Sequence, residues 1–346
     1  MKAAIVRNAG PASRIVMVER PDPVATHGEL VVEVGAVAVN NADLLLRRGY
    51  FGPTPPIPGL DVAGTVVAKG RGADEIPLGA RVVLNPAVSC GLCDHCRAGQ
   101  HGICPKRSTL GQQRDGGYAE YVSIPQENAL LLDDKIEFQS AAATPANYFT
   151  AWQMLMVRAA LQPGETLLVT GAAGGVGSAV VQLAVLTGAR VIAAVGTDLK
   201  REAVRSWGAH ETVNYSTEDL ADSVASITSG RGADVIVDVV GAALWPAYMT
   251  SIRSGGRLVT CSSTSGNKPE LAILDLMLKQ VTICGSGPTG AKLVAARVVA
   301  LLNEGKLTPR VHGTFPLANA EDGHRLLEDR RVIGKIVLQP RLPIAG

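Results

Sequence analysis

No apolar run in this 346-residue chain approaches the roughly 18 residues a membrane span needs; the longest, around Leu155 and Val176, are short or broken by glycine. A membrane is therefore not an expected partner. There is also no repeat period and no low-complexity tract, which excludes solenoid, collagen-like and disordered readings. Charge is scarce: 18% of residues are charged, and 33 basic against 31 acidic residues leave a net +2 with the signs interspersed. No polybasic face results, so nucleic acid is not an expected partner either. The opening Met1-Lys2-Ala3-Ala4-Ile5-Val6 has strand character and lacks the apolar core and cleavage site of a secretory leader, so a cytoplasmic location is expected. What the chain does have is 47% apolar residues, with 38 glycines and 20 prolines making about a sixth of its length. Its length suits two domains, leaving room for a cleft that takes a small molecule.

The pattern changes near residue 145. Before it, short β-rich runs at Leu30 to Val39, Val62 to Ala68, Ala80 to Leu84 and Tyr118 to Ile124 alternate with Gly and Pro, and Pro53, Pro55, Pro56 and Pro58 mark a stiff loop. A small irregular β-barrel is expected. After it, strands and helices alternate from Thr166 to Cys284 at the spacing of βαβ units, which predicts an open parallel sheet. The tail carries a helix at Ala291 to Asn303, then β-like pieces at Val311 to Phe315 and Lys335 to Leu338 that suit the first lobe.

Leu167 to Thr170 is a buried-strand signature that runs straight into Gly171-Ala172-Ala173-Gly174-Gly175-Val176-Gly177 and a helix ending at Gly188. A strand, a tight glycine turn and a helix N-terminus present unobstructed amides and a favourable dipole to a pyrophosphate, so Gly171, Ala172, Gly174, Gly175, Val176 and Gly177 are candidate dinucleotide ligands. Ala172 stands where a strict G-x-G-x-x-G would begin. The next strand ends Ala193-Ala194-Val195-Gly196-Thr197 with no carboxylate at its tip, and Thr197, Lys200 and Arg201 follow as a hydroxyl and two cations suited to a phosphate dianion. NADP(H) is favoured over NAD(H), with Asp198 the residue that could favour the latter. Tyr215 and Thr150 complete the candidate cofactor contacts.

Cys90, Cys93, Cys96 and Cys104 form C-x2-C-x2-C-x7-C. Four thiolates meeting about 2.3 Å from one ion make a closed tetrahedral zinc site, structural because no position is left for water. His95 and His101 are surplus to it.

Together these features resemble the medium-chain dehydrogenase/reductase superfamily, the zinc alcohol dehydrogenases and their quinone oxidoreductase relatives. The likeness spans the chain, through the cysteine lobe, Pro163-Gly164-Glu165 to Gly188-Ala189, Gly232-Ala233-Asp234 to Gly241, Gly255-Gly256-Arg257 and Gly334-Lys335-Ile336-Val337-Leu338. It implies an α/β fold: a GroES-like β-barrel catalytic domain over 1–144 and 289–346, and a Rossmann doubly wound parallel sheet over 145–288. Alcohol dehydrogenases of this superfamily hold a second, catalytic zinc at three motifs. Here those motifs read Asn40-Asn41-Ala42-Asp43, Gly59-Leu60-Asp61 and Ala146-Asn147-Tyr148, so Asn40, Leu60 and Ala146 stand where ligands would be. Asp61 alone cannot hold an ion that needs about three protein ligands. The zinc-free quinone oxidoreductase and enoyl reductase branches are the nearer resemblance, which implies NADPH-dependent reduction of an activated double bond or a quinone.

Hydride arriving at the β-carbon of an enone leaves enolate charge that needs hydrogen-bond donors. Asn40, Tyr50 and Asn147 are the candidates, with Asp43 as an orienting carboxylate and Phe51, Leu60 and Trp152 as apolar walls. Reduction of a carbonyl or imine, a zinc-type alcohol dehydrogenase and a non-catalytic NADP-binding role are the alternatives. A homodimer is expected through the strand near Val281 to Cys284 at the sheet edge, with a tetramer as the alternative.

Overall fold

The computed structural model describes residues 1–10, 13–50, 57–287 and 291–342. Phe51, Pro53, Pro55 and Pro56 lie outside the described residues. The chain divides into two compact units, 1–149 with 288–346, and 150–287.

The first unit begins with a hairpin of β1 (Lys2–Arg7) and β2 (Arg14–Glu19). It continues through β3 (Glu29–Ala38), β4 (Asp61–Lys69), β5 (Arg81–Leu84), β6 (Ala87–Val88), β7 (Ser108–Thr109), β8 (Tyr121–Pro125) and β9 (Ala129–Leu131). β3 is central, pairing antiparallel with both β4 and β8, and its run of Val and Ala is correspondingly buried. The register slips at Gly35, where a Cβ would lie 2.3 Å from the Phe138 ring, so only glycine lets that ring cover the sheet.

The second unit is a six-stranded parallel sheet: β10 (Thr166–Thr170), β11 (Arg190–Val195), β12 (Glu211–Asn214), β13 (Ala233–Asp238), β14 (Ile252–Thr260) and β15 (Thr282–Gly285), in the order 12-11-10-13-14-15. That is the doubly wound dinucleotide-binding order, with strand sequence reversing beside β10. β10 and β13 are buried along their whole length, as strands covered by helices on both faces must be. The helix Gly175–Thr187 stops at Gly188, whose φ of +83° is the left-handed turn expected there.

The tail then returns to the first unit: β16 (Val311–Pro316) pairs parallel with β17 (Lys335–Gln339), which lies antiparallel on β3 with Val337 opposite Ala38. Asn303, closing the helix Lys292–Asn303, bonds Leu131 O and the Asp133 amide. The first unit extends to Phe149 rather than stopping at residue 144, because the π-helical turn Pro145–Phe149 is anchored there: the Ala146 amide donates to Asp61 Oδ1 at 2.8 Å. Among the described residues no helix is long and apolar enough to cross a membrane.

Candidate active site and metal centre

The glycine turn is assembled by β10. Gly171 leaves the strand with φ +61°, and Gly174 begins the 13-residue helix with no side chain capping it and no acidic residue in its first turn. The first-turn amides of Gly175, Val176 and Gly177 are thus the orphan donors that every helix start leaves. A Cβ on Gly177 would lie 2.3 Å from Gly171 O and 2.7 Å from Ala172 Cα, so the turn closes only because that position is bare. Uncapped amides, a bare turn and the helix dipole fit a dinucleotide pyrophosphate. Thr150 opens the short helix Thr150–Trp152, which packs on the glycine-turn helix.

At the tip of β11, Thr197 caps the helix Asp198–Ser206 by accepting the Lys200 amide at 3.3 Å. The Tyr215 amide bonds Val195 O at 3.0 Å, and a Cβ on Gly196 would lie 3.4 Å from the Tyr215 hydroxyl oxygen. Thr197, Lys200 and Tyr215 are therefore brought to one place. Arg201 is differently disposed. Its guanidinium contacts Glu218 and lies 3.7 Å from Asp198, while Asp198 Oδ1 also accepts the Asn214 amide at 3.0 Å. Arg201, Asp198, Glu218 and Asn214 thus form one local network.

The four cysteine sulfurs lie within 4.8 Å of one another. Neighbouring pairs are 3.5 to 3.9 Å apart, close to the edge of about 3.8 Å that a tetrahedron of 2.3 Å zinc–sulfur bonds requires. Gly91 and Gly99, at φ +70° and +74°, let the loop curl. Backbone N–H groups of Leu92 and Cys93 aimed at Cys90 lower its thiol to about 6, favouring the thiolate that a metal needs. His101 Nδ1 instead pairs with Ser89 Oγ at 2.9 Å, and His95 Nδ1 with Gln100 Oε1 at 3.3 Å. Among the described residues this is the one group of metal-ligating side chains.

Positions 40, 61 and 146 converge, but what they build is a closed polar network. Asn40 Nδ2 donates to Asp61 Oδ2 at 2.9 Å and to Ala38 O at 3.2 Å, so both its amide protons are engaged. Asn40 Oδ1 accepts from Lys335 Nζ at 2.7 Å; that ammonium also donates to Val39 O at 2.7 Å and reaches Asp61 Oδ2 at 3.4 Å. Lys335 is 6% exposed and Asp61 0%. Burial pushes the Lys335 ammonium down and the Asp61 carboxyl up, and each charge opposes the other's shift. Asp61 accepts on both oxygens and Lys335 donates only to oxygens, the pattern of a carboxylate and an ammonium. Asp43 sits beside them, accepting the backbone N–H of Asn40 at 2.8 Å and of Gly59 at 3.0 Å; burial raises it to about 7.

Three of the four expected catalytic side chains are therefore hydrogen-bonded inward. Asn40 donates its two side-chain amide protons to Asp61 and Ala38 O, the bracing arrangement that is the alternative to a donor role. Asp43 holds backbone. Asn147 is buried and gives one amide proton to Ala143 O at 2.9 Å. Tyr50 is 75% exposed. Leu60 is buried, as a wall residue should be.

Sequence reasoning missed Lys335 as a site residue. Its signal was a cation opening the otherwise apolar run Lys335-Ile336-Val337-Leu338, whose four residues are all buried. Tyr118 and His324 were also missed: their side chains meet at 2.9 Å, hydroxyl to Nε2, fully buried, and burial lowers the imidazole to about 3, keeping it neutral.

Comparison with known proteins agrees with this architecture. Residues 26–134 match the alcohol dehydrogenase GroES-like domain and residues 175–303 the zinc-binding dehydrogenase family. The chain is 31% identical to an alcohol dehydrogenase of Geobacillus stearothermophilus over 98% of its own length and 99% of that protein's. It is 26% identical to the acryloyl-coenzyme A reductase of Sulfurisphaera tokodaii over 98% and 100%. A solved NAD-dependent alcohol dehydrogenase superposes with a TM-score of 0.93 at 38% identity, covering 98% of this chain and 99% of that one. The chain is an oxidoreductase and belongs to the medium-chain dehydrogenase/reductase superfamily.

Proposed function

We propose that this protein is an NADP(H)-dependent reductase of activated carbon–carbon double bonds or quinones, with one structural zinc and no catalytic metal. The observation that carries this reading is the donor set at positions 40, 60 and 146: an amide whose oxygen and protons are all engaged, an isobutyl group and a methyl group. None is a good zinc ligand, and the nearby Asp61 is held by Lys335, Asn40 and the Ala146 amide. The similarity to an acryloyl-coenzyme A reductase supports a conjugated thioester as one substrate class.

Bound NADPH would supply hydride to the β-carbon of such a substrate. The glycine turn from Gly171 to Gly177 would hold its pyrophosphate. At the β11 tip Lys200, Thr197 and Tyr215 would meet the 2′-phosphate, while Asp198, whose Oδ1 accepts the Asn214 side-chain amide, is the carboxylate that would favour NAD(H) instead. Among the expected catalytic residues, the Tyr50 phenol and the second amide proton of Asn147 are the donors left to stabilise an enolate oxygen. Asn40 and Asp43 keep the scaffold beneath them rigid. The four cysteines would hold the zinc away from this chemistry. The molecule would pair into a dimer at the β15 edge, where the adjoining helix Ile273–Lys279 exposes Ile273, Leu274, Met277 and Leu278.

The similarity to alcohol dehydrogenases favours a second reading, oxidation of an alcohol or reduction of a carbonyl. An acceptor panel of enones, enoyl thioesters, quinones, aldehydes and ketones, read as loss of NADPH absorbance beside metal analysis, separates the two. Turnover of enones or quinones with one zinc per chain supports the proposal. Two zinc ions per chain with turnover confined to alcohols and carbonyls overturns it.

A further inference from the structure

The most heavily hydrogen-bonded carboxylate described in the second unit is Asp238, the last residue of β13, and it touches none of the groups assigned above. It is fully buried. Its Oδ1 accepts the amides of Val240 and Gly241, both at 2.8 Å, and the Tyr248 hydroxyl at 2.9 Å. Its Oδ2 accepts the Thr260 hydroxyl at 2.8 Å and the Trp245 indole N–H at 3.2 Å. Five donors on one carboxylate stabilise a buried negative charge without a cation.

The connections run to three strand ends. Thr260 ends β14. Tyr248 lies 2.7 Å from Thr170 Oγ1, the last residue of β10. Because the single phenol proton goes to Asp238, Thr170 is the donor in that contact. The loop fixed by the Val240 and Gly241 amides is the one that packs on the glycine turn: a Cβ on Gly171 would lie 2.8 Å from Val239 Cγ2 and 3.3 Å from Val240 Cγ2. The loop's other side is held by the Ser265 amide on Val240 O at 2.8 Å. In an open parallel sheet the ligand binds at these carboxyl ends.

We propose that Asp238 is a positioning residue for the dinucleotide: through Tyr248 and Thr170, and through the Val239–Gly241 loop, it sets the place of the glycine turn that receives the pyrophosphate. The proposal rests on reading that turn as the dinucleotide site. Asp234, at the opposite end of the same strand, is an internal control. It also accepts several donors, among them the Thr166 amide at 2.8 Å and the Arg231 and Arg253 guanidinium groups, but at the end remote from the turn.

The test is titration of full-length wild type, Asp238→Asn, Tyr248→Phe and Asp234→Asn with NADPH and NADH, read by nicotinamide fluorescence, beside their melting temperatures. In Asp238→Asn, one orientation of the amide keeps its oxygen toward Val240 and Gly241 and lets Thr260 turn to accept, leaving only the indole N–H opposed. Tyr248→Phe keeps the carboxylate and its four other donors and removes the hydroxyl that joins Asp238 to Thr170, so it addresses the proposal even if the Asn variant does not fold. The expected result is a dissociation constant raised about tenfold in Tyr248→Phe, about 1.4 kcal/mol. Asp234→Asn should melt earlier with its dissociation constant unchanged. Unchanged binding in Tyr248→Phe, or equal weakening in Asp234→Asn, overturns the positioning role while leaving the dinucleotide site standing. Wild type that binds neither nucleotide overturns the site and the positioning role together.

Discussion

Replacing Lys335 by methionine keeps most of the length of the side chain, short by one atom, and removes one buried ammonium. The consequence follows from the partners that ammonium holds. Asp61, with no exposed surface, loses its countercharge, and Asn40 Oδ1 and Val39 O each lose a donor at 2.7 Å. Breaking a buried pair from one side costs about 3–5 kcal/mol, mostly because the other charge stays buried and uncompensated. Adding Asp61→Asn removes that charge, so the double variant should recover a substantial part of the loss, leaving about 1–3 kcal/mol for imperfectly matched polar groups. The pH dependence has a definite sign. Without the ammonium, burial of Asp61 is opposed only by the hydrogen bonds from Asn40 and the Ala146 amide, so its folded pKa rises further above the ordinary 3.8. The folded state then binds more protons than the unfolded one above pH 3.8, so stability falls as pH rises, and the deficit of Lys335→Met should shrink on acidification from neutral toward pH 5. Hydrogen exchange of peptides spanning β3 and β17 reports it directly, with β10 to β15 as the internal reference. A double variant no more stable than Lys335→Met alone, or a deficit that does not change with pH, would refute the buried ion pair.

Three further outcomes are expected. Cys93→Ser should lower zinc from one per chain to none and lower the melting temperature, while turnover per folded molecule changes little; loss of turnover in the folded fraction would place the metal in the chemistry. Lys200→Ala should raise the Michaelis constant for NADPH by about ten- to a hundredfold and leave NADH unchanged, since the proposed charge-assisted phosphate contact, about 1.5–3 kcal/mol, would be lost. Arg201→Ala should affect both nucleotides equally, because its guanidinium is engaged by Asp198 and Glu218; a phosphate-selective effect there would count against that assignment. Asp43, raised from 3.8 to about 7 by burial, keeps its proton on folding across that interval while the unfolded chain loses it. Its contribution to stability therefore falls as pH rises from about 4 to 7, by roughly 4 kcal/mol in all. A variant at Asp43 that leaves the slope of stability against pH unchanged over that window would contradict this.

Local patterns carried most of the architecture. A buried strand running into glycines and then an apolar-faced helix has one low-energy arrangement, and the strand–turn–helix from Thr166 to Gly188 formed where its periodicity and glycines placed it. The four cysteines needed only their spacing and two curling glycines to converge. Asn40, Leu60 and Ala146 could also be singled out as chain positions, because the substitutions lie within short motifs.

Chain order could not say what those positions do, because their partners come from far away. Asn40 meets Asp61 across 21 residues and Lys335 across 295, and only the return of β17 onto β3 brings the ammonium to the carboxylate. A side chain that is a donor in isolation becomes a brace when neighbours take both its protons. The same holds for Arg201, whose guanidinium meets Glu218 in space, and for Asp238, an ordinary strand-ending acid by sequence and a five-donor junction in the fold. Strand periods and metal spacings arise from interactions between near neighbours, so the amino-acid order alone determined them. Hydrogen-bond saturation and desolvation depend on every group within a few ångströms, and the packed tertiary structure alone decided those.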